Sequence, residues 1–330
     1  MKILLFEPNW LGDVILTTPA LPCLKEKFPN ASISCVVTPR CKDILVNNPN
    51  IDEIIEFDER RKDKSLGAKI EFINTLKKNK YSAVILFHRS FTRTLLCAMA
   101  GIPQRIGYAY KKRSFLLTQG VKPLNKDKIH KQDYYLGILD GFRLAVKDKS
   151  CQVYVSDAEK SHAKALIGDR RVSPLIAINP FTNWQPKKWP LQSFKEFIEL
   201  ITQKYPQAKF FITSAKDDPQ LAQLSRKNTV NLAGKTNLRQ LIAIYQQMDL
   251  VVSGDSGPLH LAAAIETKYI GIYGATLPQL NKPRSSAQGK ILFHNQVCEL
   301  PCYLKKCDKN YACMKAITPS EVATAALTLI

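Results

Sequence analysis

The segment from residue 249 to residue 264 constrains the fold more than any other part of the chain. It opens with the apolar run Asp-Leu-Val-Val, passes through Ser-Gly-Asp-Ser-Gly-Pro and ends in an Ala/Leu-rich stretch. A short β-branched run followed by two glycines and a proline predicts a strand, a tight turn and a helix, with Pro258 at the first helical position. Such strand-to-helix turns are typical of parallel α/β sheets.

The predicted turn is suited to binding an anion. Gly254 and Gly257 allow the backbone to approach a ligand closely, and the free N–H groups and dipole of a helix start favour a diphosphate. Asp255 and His260 would flank this ligand. The alternative is an ordinary connection in which the side chains of Asp255 and Ser256 cap the helix.

The rest of the chain repeats the strand-then-helix pattern. Apolar runs predict strands over residues 2–6, 33–37, 54–57 and 83–87, and again over 175–178, 209–213 and 269–273. A length of 330 residues fits two domains of roughly 150 residues each. The polar segment 147–160 is the best linker candidate. We therefore predict an α/β protein with two doubly wound domains and a ligand cleft between them.

The charge of the chain points to anionic partners. The formal net charge is +20, and residues 105–133 are predicted to form a basic loop containing aromatic residues. Nucleic acid, solvent alone or a phosphorylated lipid head group would each fit this composition. The N-terminus lacks the features of a signal peptide, and no apolar run reaches ~18 residues, so the sequence predicts a cytoplasmic protein.

Four of the nine cysteines, Cys298, Cys302, Cys307 and Cys313, cluster near the C-terminus. Close thiols in a reducing compartment suggest zinc, but the spacing lacks the paired C-x2-C of common zinc modules. Buried or merely neighbouring thiols are the alternative.

Several motifs together resemble glycosyltransferase family 9, the ADP-heptose:lipopolysaccharide heptosyltransferases. They are Asn-Trp-Leu-Gly-Asp-Val (9–14), Ala-Gly-Ile-Pro-Gln-Arg-Ile-Gly (100–107), Pro-Lys-Lys-Trp-Pro (186–190), Ser-Ala-Lys-Asp (214–217), Gly-Asp-Ser-Gly-Pro-Leu-His-Leu-Ala-Ala (254–263) and Gly-Ile-Tyr-Gly-Ala-Thr (271–276). The likeness covers nearly the whole chain. It implies a GT-B fold, two Rossmann-like domains facing across a cleft. Residues 1–155 would bind the acceptor and 156–330 the nucleotide sugar, with the final helix, about 319–330, packing back toward the first domain.

The resemblance also implies roles for individual residues. Asp13 would be the base that takes a proton from the acceptor hydroxyl, and Lys187 would neutralise the departing diphosphate. The alternative makes Asp13 only a helix N-cap. Donor contacts would come from Thr182, Lys216, Asp217, Asp255, Ser256, Gly257 and His260, although His260 could equally be a buried helical histidine. Acceptor contacts would come from Asn9, Arg89 and Arg93.

Two positions depart from the family pattern. The ribose-binding acid of relatives is replaced by Lys216, with Asp217 beyond it, and a common acceptor-binding lysine is replaced by Thr92, with Arg93 beside it. These changes put ribose and acceptor recognition in doubt.

The resemblance implies inverting transfer of a heptose from ADP-heptose to the anionic inner core of lipopolysaccharide, without a metal or other cofactor. The enzyme would work at the inner face of the inner membrane as a peripheral protein and would have no nucleic-acid partner. The alternatives are another nucleotide sugar as donor, a non-catalytic relative or, in a different class, a nucleic-acid-binding protein whose affinity falls steeply with salt.

Overall fold

The computed structural model of the protein describes residues 1–110, 112–168, 174–302, 304 and 306–330. Lys111 of the basic stretch lies outside the described residues. The chain divides into two compact units, Met1–Tyr154 and Val155–Ile330. Among the described residues, no helix has both the length and the apolar character needed to cross a bilayer.

The first unit is built on one parallel sheet. Its strands are β1 (Lys2–Phe6), β2 (Ser32–Val37), β3 (Glu53–Glu56), β4 (Ala83–Leu86), β5 (Gln104–Tyr108) and β6 (Gln119–Val121), in the order β3-β2-β1-β4-β5-β6. Its α-helices are α1 (Leu11–Thr17), α2 (Ala20–Lys27), α3 (Leu66–Asn79), α4 (Phe91–Met99) and α5 (Lys131–Leu136). All strand pairs are parallel, so the carboxyl ends of the strands lie at one edge, where ligands bind in such folds.

The second unit has the same topology. Its strands are β7 (Leu175–Asn179), β8 (Lys209–Ile212), β9 (Thr229–Asn231), β10 (Leu250–Gly254), β11 (Tyr269–Tyr273) and β12 (Gly289–Phe293). Its α-helices are α6 (Asp157–Ile167), α7 (Leu191–Lys204), α8 (Leu238–Tyr245), α9 (Gly257–Ala264), α10 (Pro278–Asn281), α11 (Ala312–Lys315) and α12 (Pro319–Leu327). The sheet order β12-β11-β10-β7-β8-β9, read backwards, repeats that of the first unit. The predicted α/β fold with two doubly wound sheets is confirmed.

Some predicted boundaries were wrong. The predicted basic loop 105–133 contains β5 and β6, which pair with β4 and with each other. The predicted linker contains the start of α6, because Ser156 and Glu159 form a capping box. The helical segment after β1 breaks at Pro19, which separates α1 from α2, since proline lacks the N–H that would continue α1. Pro258 follows Gly257, which is the first helical residue of α9.

Aromatic packing fixes the core of the first unit beneath β1. Phe57 stacks on Phe72 with ring centroids 4.1 Å apart, and Phe6 meets each of them edge-on at 6.1 Å. Phe6 is the last residue of β1, so this cluster anchors the start of the loop that follows.

The terminal helix α12 packs on α7 and β11 within the second unit. Thr318 caps it by accepting from the Glu321 backbone N–H. The Glu321 side chain pairs with His294 Nε2 at 2.9 Å. The expectation that this helix packs back toward the first domain stays a prediction.

Candidate active site

Three side chains meet at the strand ends of the second unit. The Lys187 ammonium lies 2.5 Å from Asp255 Oδ2, and the Thr276 hydroxyl donates to the same oxygen at 2.6 Å. Each side chain follows a different strand, β7, β10 or β11, and these three are neighbours in the sheet. Parallel pairing therefore brings together residues that are far apart in sequence.

The charge of Asp255 is held by this cluster. Burial acts to raise the pKa of the Asp255 carboxyl, but the Lys187 ammonium and the Thr276 hydroxyl outweigh it and hold that pKa below its usual value. Asp255 is therefore an ionised carboxylate at neutral pH, and it fixes the position of the Lys187 ammonium. The prediction that Asp255 binds the donor sugar stays a prediction.

The start of α9 follows directly. Ser256 occupies the N-cap position, yet its side chain makes no cap hydrogen bond, and its hydroxyl oxygen lies 3.1 Å from that of Ser253. Because Asp255 pairs with Lys187, the interpretation that Asp255 and Ser256 simply cap the helix does not fit. His260 is buried within α9, and its charge helps to lower the pKa of Asp255.

Gly254 has a role that the sequence did not suggest. A Cβ atom at this position would lie 2.9 Å from the Lys187 carbonyl oxygen and 3.2 Å from Thr182 Cγ2. The missing side chain therefore admits the loop that carries Lys187, whereas the sequence predicted close approach of a ligand. Thr182, half-buried, donates its hydroxyl to the Trp184 carbonyl at 2.7 Å.

Two further predicted donor contacts lie on the loop after β8. Lys216 and Asp217 are both exposed. Asp217 accepts from the backbone N–H of Asp218 at 3.0 Å, and Asp218 in turn caps the 3-10 helix Pro219–Leu224. This loop follows a strand of the same parallel sheet, so it emerges at the same edge as Asp255. Their roles in ribose binding stay predictions.

In the first unit, Asp13 lies in the first turn of α1 and is buried. Its carboxylate is 2.6 Å from the Lys131 ammonium. Burial and the Asp13 carboxylate raise the pKa of Tyr135 well above its usual value, so this hydroxyl stays protonated beside the acid. The N-cap residue of α1 is Trp10, which rules out the N-cap interpretation of Asp13.

The predicted acceptor residues fall into two groups. Arg93 is buried, donates to the Glu7 carbonyl oxygen at 3.1 Å and to Asn9 Oδ1 at 2.7 Å, and lies 3.3 Å from Glu59. It holds the loop that contains Asn9, and its burial disfavours direct contact with an acceptor. Arg89, in contrast, is exposed.

Arg89 stands beside two aromatic rings. Its guanidinium lies 5.5 Å from the ring centre of Tyr110 and 5.9 Å from that of Tyr134. An exposed cation held this way can meet an anionic group of a ligand.

The four C-terminal cysteines line one cavity of about 320 Å³ in the second unit. Burial and the neighbouring Cys298 raise the pKa of the Cys313 thiol to about 11. Across the described part of the chain, no three Cys, His, Asp or Glu side chains are arranged to hold a metal ion. The four thiols are neighbours around one cavity, and whether they bind zinc stays a prediction.

The sequence missed the partners of the two acids. Thr276 ends one of the quoted motifs, and a predicted β10–β11 pairing could have placed it beside Asp255. Lys131 and Tyr135 lie on α5, more than a hundred residues after Asp13. Nothing in the local pattern signals that contact.

Comparisons with known proteins give the family of the chain. The profile of glycosyltransferase family 9 (heptosyltransferase) matches residues 70–311. Lipooligosaccharide heptosyltransferase 2 of Haemophilus influenzae is 30% identical over 312 residues, covering 86% of each protein. Lipopolysaccharide heptosyltransferase 2 of Salmonella typhimurium is 29% identical over 302 residues, again covering 86% of each.

A solved structure shows the same fold. The structure of E. coli ADP-heptose lps heptosyltransferase II superposes with a TM-score of 0.82 at 22% identity, covering 100% of this chain and 98% of that chain. The profile spans well over half of the chain, and the curated relatives match along most of their length. The chain therefore belongs to glycosyltransferase family 9, the heptosyltransferases.

Proposed function

We propose that this protein is an inverting heptosyltransferase that moves a heptose from ADP-heptose to the inner core of lipopolysaccharide. Curated relatives matched over 86% of this chain are named as heptosyltransferases of lipooligosaccharide or lipopolysaccharide. The observation that carries the proposal is the Lys187–Asp255 ion pair beside the start of α9. A fixed cation next to a helix N-terminus with no side-chain cap is suited to a diphosphate leaving group.

The second unit would bind the donor. The Lys187 ammonium and the first N–H groups of α9 would contact the diphosphate oxygens. As the bond between the anomeric carbon and the diphosphate breaks, negative charge grows on ADP, and Lys187 stabilises it. Asp255 holds Lys187 in place through its buried carboxylate.

The first unit would supply the base. The Asp13 carboxylate takes the proton from the acceptor hydroxyl as that oxygen attacks the anomeric carbon on the face opposite ADP. The new glycosidic bond forms, ADP leaves with the electron pair of the broken bond, and the configuration inverts. Lys131 and Tyr135 hold the Asp13 carboxylate in position.

The cellular setting follows from the acceptor. In lipopolysaccharide, the inner core is attached to lipid A. Phosphates and acidic sugars make this acceptor a polyanion, and lipid A holds it at a membrane surface. A protein of net charge +20 is attracted to such a surface. We propose that the enzyme works at the cytoplasmic face of the inner membrane as a peripheral protein.

The direct test measures ADP release from ADP-heptose with defined truncated core acceptors. We expect ADP release only when an inner-core acceptor is present, and Asp13→Asn should lower turnover by about 10²–10⁴-fold with ADP binding unchanged. The matched control is Asp127→Asn, an exposed acid of the same unit. Turnover only with another nucleotide sugar would refute the donor assignment. If Asp13→Asn retained more than about a tenth of the activity, Asp13 would not be the catalytic base.

A further inference from the structure

One side of α4 carries apolar side chains that are exposed or half-buried. Phe91, Leu95 and Met99 are spaced four residues apart and share this side of the helix. Phe91 is 43% exposed and Met99 is 54% exposed, and Leu95 between them is half-buried. The opposite side of α4, with Arg93, Leu96 and Cys97, is buried. One face of this helix therefore packs against the core, and the other face carries apolar side chains that contact solvent.

A neighbouring segment extends this face. Phe115, on the 3-10 helix Ser114–Leu116, is 73% exposed, and its ring centre lies 6.3 Å from that of Phe91. We call Phe91, Leu95, Met99 and Phe115 the α4 apolar face. A single exposed apolar residue is ordinary, whereas a contiguous group indicates an interaction surface.

Basic residues lie beside the start of α4. The Glu59 carboxylate lies 3.4 Å from the hydroxyl of Ser90, the N-cap residue of α4 that precedes Phe91, so the segment that follows Glu59 is close to the start of this helix. The acids of that segment are engaged within the protein, because Asp63 accepts from the Asp58 backbone N–H and Glu59 faces Arg93. Its exposed cations are Arg60, Arg61, Lys62 and Lys64. Two more exposed cations, Arg89 and Lys112, lie just before Phe91 and Phe115 in the sequence.

We infer that the α4 apolar face, with its flanking cations, docks onto an anionic phospholipid bilayer. Apolar side chains that enter the interface while lysines and arginines meet lipid phosphates are the pattern of surface-bound proteins. A second protein would be expected to bring acids to these cations as well as an apolar surface, whereas a bilayer supplies both chemistries in one plane. The inference rests on the proposed function, because a lipid-linked acceptor is what places the enzyme at a membrane.

Docking would also help the reaction. Arg89 precedes α4 by two residues, and the Asn9 side chain is tied to Arg93 of the same helix. A bilayer on this face would therefore hold the predicted acceptor residues near the head-group layer, where a lipid-linked sugar is found.

The test compares binding to vesicles of phosphatidylcholine alone with binding to vesicles that contain about 30% phosphatidylglycerol. The wild-type protein should sediment with the anionic vesicles, and the double variant Met99→Gln/Phe115→Gln should bind them at least about tenfold more weakly. The matched control, Leu166→Gln/Leu200→Gln, replaces two exposed apolar residues of the second unit and should bind as the wild type does. Circular dichroism checks that each variant is folded.

A fluorescence measurement tests the same contact with a variant that keeps an aromatic side chain at residue 115. Phe115→Trp should show a blue-shifted emission when anionic vesicles are added, because the indole enters the interface. Equal vesicle binding by the wild type and the double variant, or no blue shift, would overturn the inference. Concentration-dependent dimerisation that the double variant abolishes, without vesicle binding, would overturn it in favour of a second copy of the chain.

Activity assays separate this inference from the proposed function. On a lipid-free core oligosaccharide the double variant should turn over as the wild type does, and on a vesicle-embedded acceptor it should be slower. Vesicle binding without any heptose transfer would leave the docking surface standing and refute the proposed function.

Discussion

Replacing Glu7 with glutamine should remove a pH-dependent destabilisation of the first unit. Glu7 lies just after β1, and only 1% of its surface is exposed. Its Oε2 atom lies 2.7 Å from the Thr17 hydroxyl, which is also 2.7 Å from the Val14 carbonyl oxygen. The Thr17 hydroxyl is the donor in both contacts, and its single proton is shared between the Glu7 and Val14 oxygens.

Burial controls the charge of the Glu7 carboxyl. Burial raises the pKa of Glu7 from its ordinary 4.5 to about 8, against the opposing hydrogen bond of Thr17. An acid whose pKa is higher in the folded state binds more protons when folded, so its contribution to stability is fully present below pH 4.5 and is lost as the pH rises toward 8. At about 1.4 kcal/mol for each pH unit, the loss has an upper limit of about 5 kcal/mol.

Glutamine keeps an acceptor for Thr17 and cannot ionise. Its amide oxygen can accept from the Thr17 hydroxyl in place of Glu7 Oε2. Between pH 5.5 and 7.5 we expect the wild type to lose about 2–3 kcal/mol relative to Glu7→Gln. The exposed Glu26→Gln serves as the control.

The assay must report the first unit alone, because two units can unfold separately. Samples equilibrated in urea at each pH are pulse-labelled with deuterium at one common pH, and peptides from residues 1–20 are followed by mass spectrometry. The same dependence of unfolding free energy on pH in the wild type and Glu7→Gln would refute the reasoning.

Three further predictions concern the site. Lys187→Ala should lower turnover more than affinity for ADP, measured by steady-state kinetics beside calorimetric titration, because the lysine matters most as the leaving group gains charge; an equal loss of both would contradict this. Gly254→Ala should weaken ADP binding by about tenfold, because the added Cβ lies 2.9 Å from the Lys187 carbonyl oxygen and must displace that loop; unchanged affinity in calorimetry would show that the loop does not contact the nucleotide. Lys131→Met should lower kcat/KM by up to about 10²-fold, since the Asp13 carboxylate loses the cation that lies 2.6 Å from it and positions it, and Lys131→Arg should restore the activity; unchanged kcat/KM in Lys131→Met would mean that Lys131 does not position the base.

The sequence allowed the central strands to be predicted because they are buried on both faces. β1 and β11 are continuous apolar runs and match their predicted bounds. The strands β6, β9 and β12 were not predicted, since they are sheet edges or short segments of mixed polarity. β5 was not predicted either, because it begins with Gln-Arg and lies in a basic stretch of the sequence.

The sequence predicted features of the candidate site only where the residues involved are neighbours in sequence. The glycines around Asp255 are recognisable from neighbours in sequence, and so is the capping box that Asn237 and Gln240 form at the start of α8. The contact of Asp13 with Lys131 depends on the packing of α1 against α5. Only tertiary structure creates such a pair, so spacing rules cannot supply it.

The burial of Arg93 has a consequence for how an acceptor is recognised. Its guanidinium joins the end of β1, the loop at Asn9 and the segment at Glu59, so these three stretches are ordered relative to one another before any sugar arrives. The entropy cost of arranging them belongs to folding and is absent from the binding step. At the proposed acceptor site, an acceptor would therefore meet a surface whose shape is set before binding, and selection among acceptors would depend on fit to that shape.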